Sequence, residues 1–128
     1  MILSDTDVII EYLKGNKSIL SEFNELRNEN ISISSVTLME LLFGAFNKKE
    51  AIAIKKALSS IQVIQINGTV SESAVELIDK YSKSHGLSIP DALIAATAMS
   101  LSYPLYTMNI HHFKYIKGLL LYKEIKID

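Results

Sequence analysis

Short apolar runs alternate along the chain with longer segments in which apolar residues recur every three or four positions. The short runs have the length and the β-branched content of buried strands, and the longer segments have the period of amphipathic helices. This pattern predicts strands at 1–3, 31–33, 61–66 and 104–107, and a last strand near 119–124. It predicts helices at 8–14, 18–28, 36–46, 49–59 and 70–84, with Gly86 as a C-terminal cap, and one further helix after Pro90.

Strands that are separated by helices indicate a parallel sheet, because parallel strands need a crossover connection between them. We therefore expect an α/β fold of three layers, with a mostly parallel central sheet of about four to five strands and helices on both faces. The chain has 128 residues and shows no linker, repeat or break in composition, which fits one domain over residues 1–128. In such sheets, ligands bind beyond the carboxyl ends of the strands.

The composition narrows the possible functions. The formal net charge of −1 argues against a broad basic surface that grips duplex nucleic acid. Lysines at 48, 49, 55 and 56, and at 114, 117, 123 and 126, form two local groups that we interpret as solvated surface. The absence of cysteine excludes disulfides and thiolate metal sites. With no apolar run long enough for a membrane and no basic leader, the expected location is the cytoplasm.

Three acids follow strands or begin helices in the predicted topology. Asp5 comes directly after the first strand, Glu40 lies one turn into the helix after the second, and Asp91 begins the helix "PDALIAATA". Each acid also fits a helix-capping pattern, and capping is the simpler interpretation of each position by itself. The patterns are Ser4-x-x-Asp7, which makes Asp7 at least as good a cap as Asp5, Thr37-x-x-Glu40 and Ser88-x-x-Asp91.

Capping does not explain why all three acids belong to the same edge of one parallel sheet. Converging carboxylates repel one another and raise one another's pKa unless a cation lies among them. Carboxylate oxygens are ligands that suit Mg²⁺ or Mn²⁺, and such an ion can activate water and stabilise charge on a phosphodiester. The three acids together therefore indicate a divalent-cation site, and hydrolysis of a phosphodiester is one reaction that such a site supports.

Four segments resemble, in order and spacing, the successive motifs of PIN domains, and most closely those of the VapC-type toxins of bacterial toxin–antitoxin pairs. The segments are "ILSDTDVII", "SSVTLMELLFGA", "SIPDALIAATA" and "YTMNIHHF". The resemblance implies that Asp5, Glu40 and Asp91 are the metal-binding acids of a ribonuclease, with Mg²⁺ as cofactor and Mn²⁺ as the alternative. It adds Asn109 to the catalytic set, with Thr6, Thr107 and His112 as supporting residues.

The resemblance also implies partners. They are an RNA substrate, a second copy of the chain in a homodimer, and a VapB-like antitoxin that blocks the site. The expected function is the endoribonuclease toxin of a type II toxin–antitoxin system, which hydrolyses RNA with metal-activated water. The alternative is a PIN-type regulatory module with little nuclease activity that acts with a DNA-binding partner. The helices at 8–28 and 36–58 carry surplus apolar side chains for a dimer face or an antitoxin groove, namely Tyr12, Leu13, Phe23, Leu42, Phe43 and Phe46.

The sequence departs from the family pattern at His112, where many relatives carry an aspartate before Phe113. Loss of a carboxylate predicts weaker Mg²⁺ binding, and an imidazole favours Mn²⁺, which accepts nitrogen ligands. The alternative is a surface histidine in a short helical turn.

His85, at a predicted helix end, receives no role. Four tyrosines offer stacking faces for bases, but core or interface packing is the preferred interpretation for them: Tyr103, Tyr106, Tyr115 and Tyr122.

Overall fold

The computed structural model describes residues 1–122 and contains a central sheet with helices on both faces. The strands are β1 (Ile2–Ser4), β2 (Ile31–Ser34), β3 (Gln62–Ile64) and β4 (Leu105–Tyr106). The helices are α1 (Thr6–Leu13), α2 (Lys17–Leu26), α3 (Ser35–Phe43), α4 (Lys48–Ala57), α5 (Gly68–His85) and α6 (Ile89–Leu101). Short 3₁₀ helices span Asn28–Asn30 and Ile110–His112. The predicted α/β class and the three-layer arrangement are confirmed.

All strand pairs of the sheet are parallel, and the strand order is β3-β2-β1-β4. The chain winds outward from β1 through β2 to β3 and then crosses to β4 on the other side of β1. β1 and β4 are therefore neighbours at the point where the winding direction reverses. The crevice beyond the carboxyl ends of two such strands is where ligands bind in open α/β sheets.

The sheet separates two apolar layers. Successive strand residues alternate between them, as the two-residue period of a strand requires: Ile2 and Tyr106 face one layer, and Leu3 and Leu105 face the other. α1 and α2 cover the first face, and α5 and α6 cover the second. No helix among residues 1–122 is both long and apolar enough to cross a membrane.

Several helix and strand ends differ from the predicted ones. α2 ends at Leu26 instead of residue 28, because Arg27 takes a left-handed backbone conformation with φ of 72°. α3 ends at Phe43, before the predicted residue 46. Gly86 caps α5 with φ of 72°, as predicted. The strand predicted near 119–124 is reduced to one parallel bridge between Leu121 and Leu105, and residues 123–124 lie outside the described residues.

Candidate active site

Asp5 lies at the carboxyl end of β1, in the crevice between β1 and β4. Its backbone N–H donates to the carbonyl of Tyr106 at 2.8 Å, which continues the pairing of β1 with β4. One carboxylate oxygen accepts from the backbone N–H of Thr6 and the other from the Thr107 hydroxyl, both at 2.8 Å. Asp5 is therefore the N-cap of α1 and also a buried acid, 5% exposed, in a fixed orientation.

Asp7 belongs to the same cluster, and the sequence analysis did not assign it to the site. Its Oδ2 accepts from the backbone N–H of Met108 at 3.1 Å and from Nδ2 of Asn109 at 2.9 Å. Of the two candidates for the cap of α1, Asp5 takes that role and Asp7 does not. Oδ1 of Asp7 is buried and has no hydrogen-bond partner within residues 1–122. The spacing Asp5-x-Asp7, two acids after one strand, was the signal available in the sequence.

Asn109 and Thr107 connect these two acids. The Thr107 hydroxyl donates to Asp5 and accepts from the backbone N–H of Asn109 at 3.0 Å, while the Asn109 amide holds Asp7. The loop after β4 thus fixes both carboxylates that follow β1. The structure places Thr107 against Asp5 and Asn109 against Asp7.

Glu40 reaches the cluster through Thr6. The Thr6 hydroxyl donates to Oε1 of Glu40 at 2.7 Å and lies 2.9 Å from the hydroxyl oxygen of Thr37. The capping box expected for Thr37 and Glu40 is wrong, because Ser34 caps α3 through the backbone N–H of Val36. Glu40 is exposed to solvent, so its orientation depends on this contact between α1 and α3.

Asp91 enters the cluster from the first turn of α6. Ser88 caps this helix, and its hydroxyl accepts from the backbone N–H of Asp91 at 3.3 Å, so the capping pattern predicted here is correct. The Asp91 side chain is 28% exposed, and its Oδ2 lies 4.0 Å from Nδ1 of His112. His112 ends an exposed 3₁₀ turn, as the surface alternative predicted, but its ring also faces the acid.

The electrostatics show that the acids act on one another. Burial and, after it, the charge of Asp7 raise the pKa of Asp5 to about 7, against the opposing effect of the Thr107 hydrogen bond. Burial also raises the pKa of Asp7, against the hydrogen bond from Met108. For Asp91, burial raises the pKa, His112 opposes this rise, and the charge of Glu40 adds to it. Deprotonating all of these groups at once costs free energy that a nearby cation would offset.

The donor set fits a hard divalent cation. Among the described residues, no three His, Asp or Glu side chains stand close enough to hold a metal ion by themselves. Mg²⁺ does not need such a cage, because it usually keeps several waters and takes one or two protein carboxylates. The unpartnered buried oxygen of Asp7 and the mutual repulsion of the carboxylates are the features that a cation would relieve.

Comparison with known proteins identifies relatives that agree with one another in family. The family model of the PIN domain matches residues 2–118. Ribonuclease VapC10 of Mycobacterium tuberculosis is 31% identical over 115 residues, which cover 88% of this chain and 86% of that protein. Ribonuclease VapC1 of Methanocaldococcus jannaschii is 32% identical over 127 residues, which cover 96% and 88%.

Solved structures agree with this relationship. A toxin–antitoxin complex from Klebsiella pneumoniae contains a chain of 29% identity and a TM-score of 0.79, with 94% of this chain and 96% of that chain covered. The VapBC2 complex of Rickettsia felis bound to a DNA fragment from their promoter gives 29% identity and a TM-score of 0.78, with 94% and 97% covered. The family match, the sequence relatives and the shared architecture together show that the chain belongs to the PIN domain family.

Proposed function

We propose that this protein is a divalent-metal-dependent endoribonuclease and the toxin of a VapBC-like type II toxin–antitoxin system. The observation that carries the proposal is the buried carboxylate of Asp5, held by Thr107 at the β1–β4 crevice in the field of neighbouring acids. The names of the VapC ribonuclease relatives supply the substrate class, and the acids supply the chemistry that hydrolysis of a phosphodiester needs.

Each residue of the cluster has a distinct task in this proposal. Asp5 and Asp91 hold the ion, directly or through water, and Glu40 holds the same ion or orients the attacking water. When bound, Mg²⁺ or Mn²⁺ makes water a better nucleophile and stabilises the charge that develops on the phosphate. Thr6 orients Glu40 through its 2.7 Å hydrogen bond. Water rather than the ribose 2′-hydroxyl attacks, so the products carry a 5′-phosphate and a 3′-hydroxyl.

The loop after β4 positions the acids. Thr107 keeps one oxygen of Asp5 occupied at 2.8 Å and so directs the carboxylate, while Asn109 restrains Asp7 in the same way. His112 supplies a nitrogen donor beside Asp91 and favours Mn²⁺ over Mg²⁺. The acids thus enter the reaction already oriented, which lowers the reorganisation required when the ion and RNA bind.

The protein partner that we propose for the active-site region is a VapB-like antitoxin. Structural neighbours include the VapBC complexes of Rickettsia felis and Haemophilus influenzae. A groove of about 700 Å³ between α1, α3 and α4 opens beside the acids and has a mainly apolar lining that would receive the apolar face of an antitoxin helix. Lining residues include Thr6, Ile10, Leu13, Glu40, Leu41 and Ile54. An antitoxin in this groove would block access to Glu40.

The proposal is tested with purified protein and total cellular RNA, in Mg²⁺ or Mn²⁺ and in EDTA, with the RNA ends mapped by sequencing. Wild type is compared with Asp91→Asn and with Asp79→Asn, which changes an exposed acid on α5 outside the cluster. We expect discrete cuts with 5′-phosphate ends that disappear in EDTA and in Asp91→Asn but persist in Asp79→Asn. Cuts that survive EDTA, or that end in a 2′,3′-cyclic phosphate, would contradict it.

A further inference from the structure

Three aromatic rings form a cluster where α5 ends, which we call the aromatic platform: Tyr81, His85 and Tyr115. The rings of His85 and Tyr115 stack with centroids 4.2 Å apart and planes 13° apart. Tyr81 is 8% exposed and touches both of them, His85 edge-on at 5.8 Å and Tyr115 at 5.2 Å. The stacked pair therefore stands on a buried ring, and His85 is its exposed member.

Hydrogen bonds hold the platform in place. The Ser84 hydroxyl and Nδ1 of His85 are 2.8 Å apart, and the Tyr81 hydroxyl accepts from the backbone N–H of Lys117 at 3.3 Å. The second bond ties the end of α5 to the loop that carries Tyr115. Rings that are already oriented lose little conformational entropy when a further ring stacks on them.

Lysines lie near the platform, and one acid of α5, Asp79, adjoins Lys80 in the sequence. Nζ of Lys80 lies 5.5 Å from the centroid of the Tyr81 ring, and exposed Lys114 and Lys117 flank Tyr115 in the sequence. Residues 92–122 contain no aspartate or glutamate. The acids of the active site repel a polyanion, so an RNA strand needs cations elsewhere on the protein to hold its phosphates. The lysines around the platform provide them.

The platform borders the active site. Tyr115 lies three residues after His112, whose ring faces Asp91. Burial raises the pKa of the Tyr115 hydroxyl, and the negative charge of Asp91 adds to this rise. The electric field of Asp91 therefore reaches the platform. His85 is also close to α6 in the chain, because only two residues separate it from Ser88, the N-cap of that helix.

We propose that the stacked rings of His85 and Tyr115 bind an unpaired base of single-stranded RNA beside the scissile phosphodiester, while Lys80, Lys114 and Lys117 contact its phosphates. Stacking needs a free base face, which a base inside a duplex does not offer. The platform therefore selects unpaired segments of RNA, such as loops. This inference rests on the proposed function and adds a substrate subsite to it.

The test measures binding without cleavage. A nine-nucleotide single-stranded RNA with one 2-aminopurine is titrated with the protein in EDTA, and the fluorescence of the probe reports stacking. Tyr115→Leu and His85→Gln remove one ring each, and His85 is exposed, so its replacement spares the core. Tyr115→Phe keeps the ring. Val75→Ser changes an exposed apolar side chain of α5 outside the platform.

We expect Tyr115→Leu and His85→Gln to weaken binding about 5- to 100-fold and to abolish the quenching, as loss of one stacked base predicts. Tyr115→Phe and Val75→Ser should bind as wild type does. Equal binding by wild type and both ring-loss variants would overturn the inference, as would equal binding of a duplex of the same sequence or no binding by wild type. Metal-dependent cleavage is scored separately, so either proposal can fail while the other stands.

Discussion

Asp5 combines two roles whose electrostatic demands conflict. As the N-cap of α1 it accepts from the backbone N–H of Thr6, and it also accepts from Thr107, so two hydrogen bonds favour its charged form. Burial and the charge of Asp7 outweigh these bonds and raise the pKa of Asp5 to about 7. The surroundings of Asp5 therefore disfavour its charged form, and a cation beside the carboxylate would favour that form again.

The raised pKa of Asp5 makes the stability of the metal-free protein depend on pH. Because the native pKa lies above the unfolded value of 3.8, the contribution of Asp5 to stability is complete below pH 3.8 and is lost as pH rises through about 7. A shift of this size corresponds to at most about 4 kcal/mol. In EDTA, Asp5→Asn should therefore melt at a higher temperature than wild type at pH 8 and lose that advantage at pH 4.5.

Thermal melts of both proteins across this pH range check the prediction. Asp79→Asn serves as the control, because Asp79 is exposed on α5 and should leave the profile of wild type unchanged. If Asp5→Asn melts below wild type at pH 8, the carboxylate stabilises the metal-free fold and the electrostatic account of Asp5 is wrong.

His112 controls the choice of ion in this account. His112→Asp places a carboxylate opposite Asp91, whose Oδ2 now lies 4.0 Å from the imidazole Nδ1. The added negative charge should increase the stabilisation by Mg²⁺ relative to that by Mn²⁺. The rise in melting temperature with each ion measures the preference, with His111→Asp as the neighbouring control. An unchanged ratio in His112→Asp would remove His112 from the site.

At the scale of elements, the sequence predicted the six α-helices and the four strands of residues 1–122, because their periods are set by burial on the two faces of the sheet. It did not predict the end of α2, where a non-glycine residue, Arg27, takes a positive φ. It identified Asp5, Glu40 and Asp91 as candidate site residues but missed Asp7, since the partner that explains it, Asn109, is 102 residues away. Contacts at such distances depend on topology, which local patterns do not specify.

The N-terminus of α6 is the element that places Asp91. Ser88→Ala removes the acceptor of the Asp91 backbone N–H and should cost about 1 kcal/mol of stability. The loosened first turn should also reduce the stabilisation by Mn²⁺. Thermal melts with and without Mn²⁺ check both effects, with Ser71→Ala, an exposed position on α5, as the control. A full Mn²⁺ response in Ser88→Ala would show that the cap does not position Asp91.

At the scale of the whole molecule, the acids of the site, the lysines near the platform and the exposed phenylalanines lie in different parts of the structure. The acids meet at one edge of the sheet, lysines lie near the platform, and Phe43 at the end of α3 and Phe46 in the segment after it are 94% and 88% exposed. Two phenylalanines three positions apart, with so much surface in water, favour association with another protein surface. In the homodimer that the sequence resemblance implies, we propose that these rings form the face between the two copies.

Serine at both positions should therefore weaken self-association, because about 25 cal/mol is lost for each Å² of apolar surface that association would have buried. Sedimentation velocity over a range of concentrations measures the change, with Val75→Ser, which alters an exposed apolar residue of α5, as the control. If the double variant sediments as wild type does, these rings serve a different partner and the assignment to the dimer face fails.

We propose above that the acids at the β1–β4 crevice bind a divalent ion. Electron paramagnetic resonance tests it most directly, because the signal of free Mn²⁺ falls as the ion binds protein. We predict saturable loss of this signal with wild type and with Asp79→Asn, and at least a tenfold weaker effect with Asp5→Asn and Asp91→Asn, since about 1.4 kcal/mol per lost charge suffices for that change. Folded wild type that leaves the signal untouched, or variants that bind Mn²⁺ equally well, would contradict the claim.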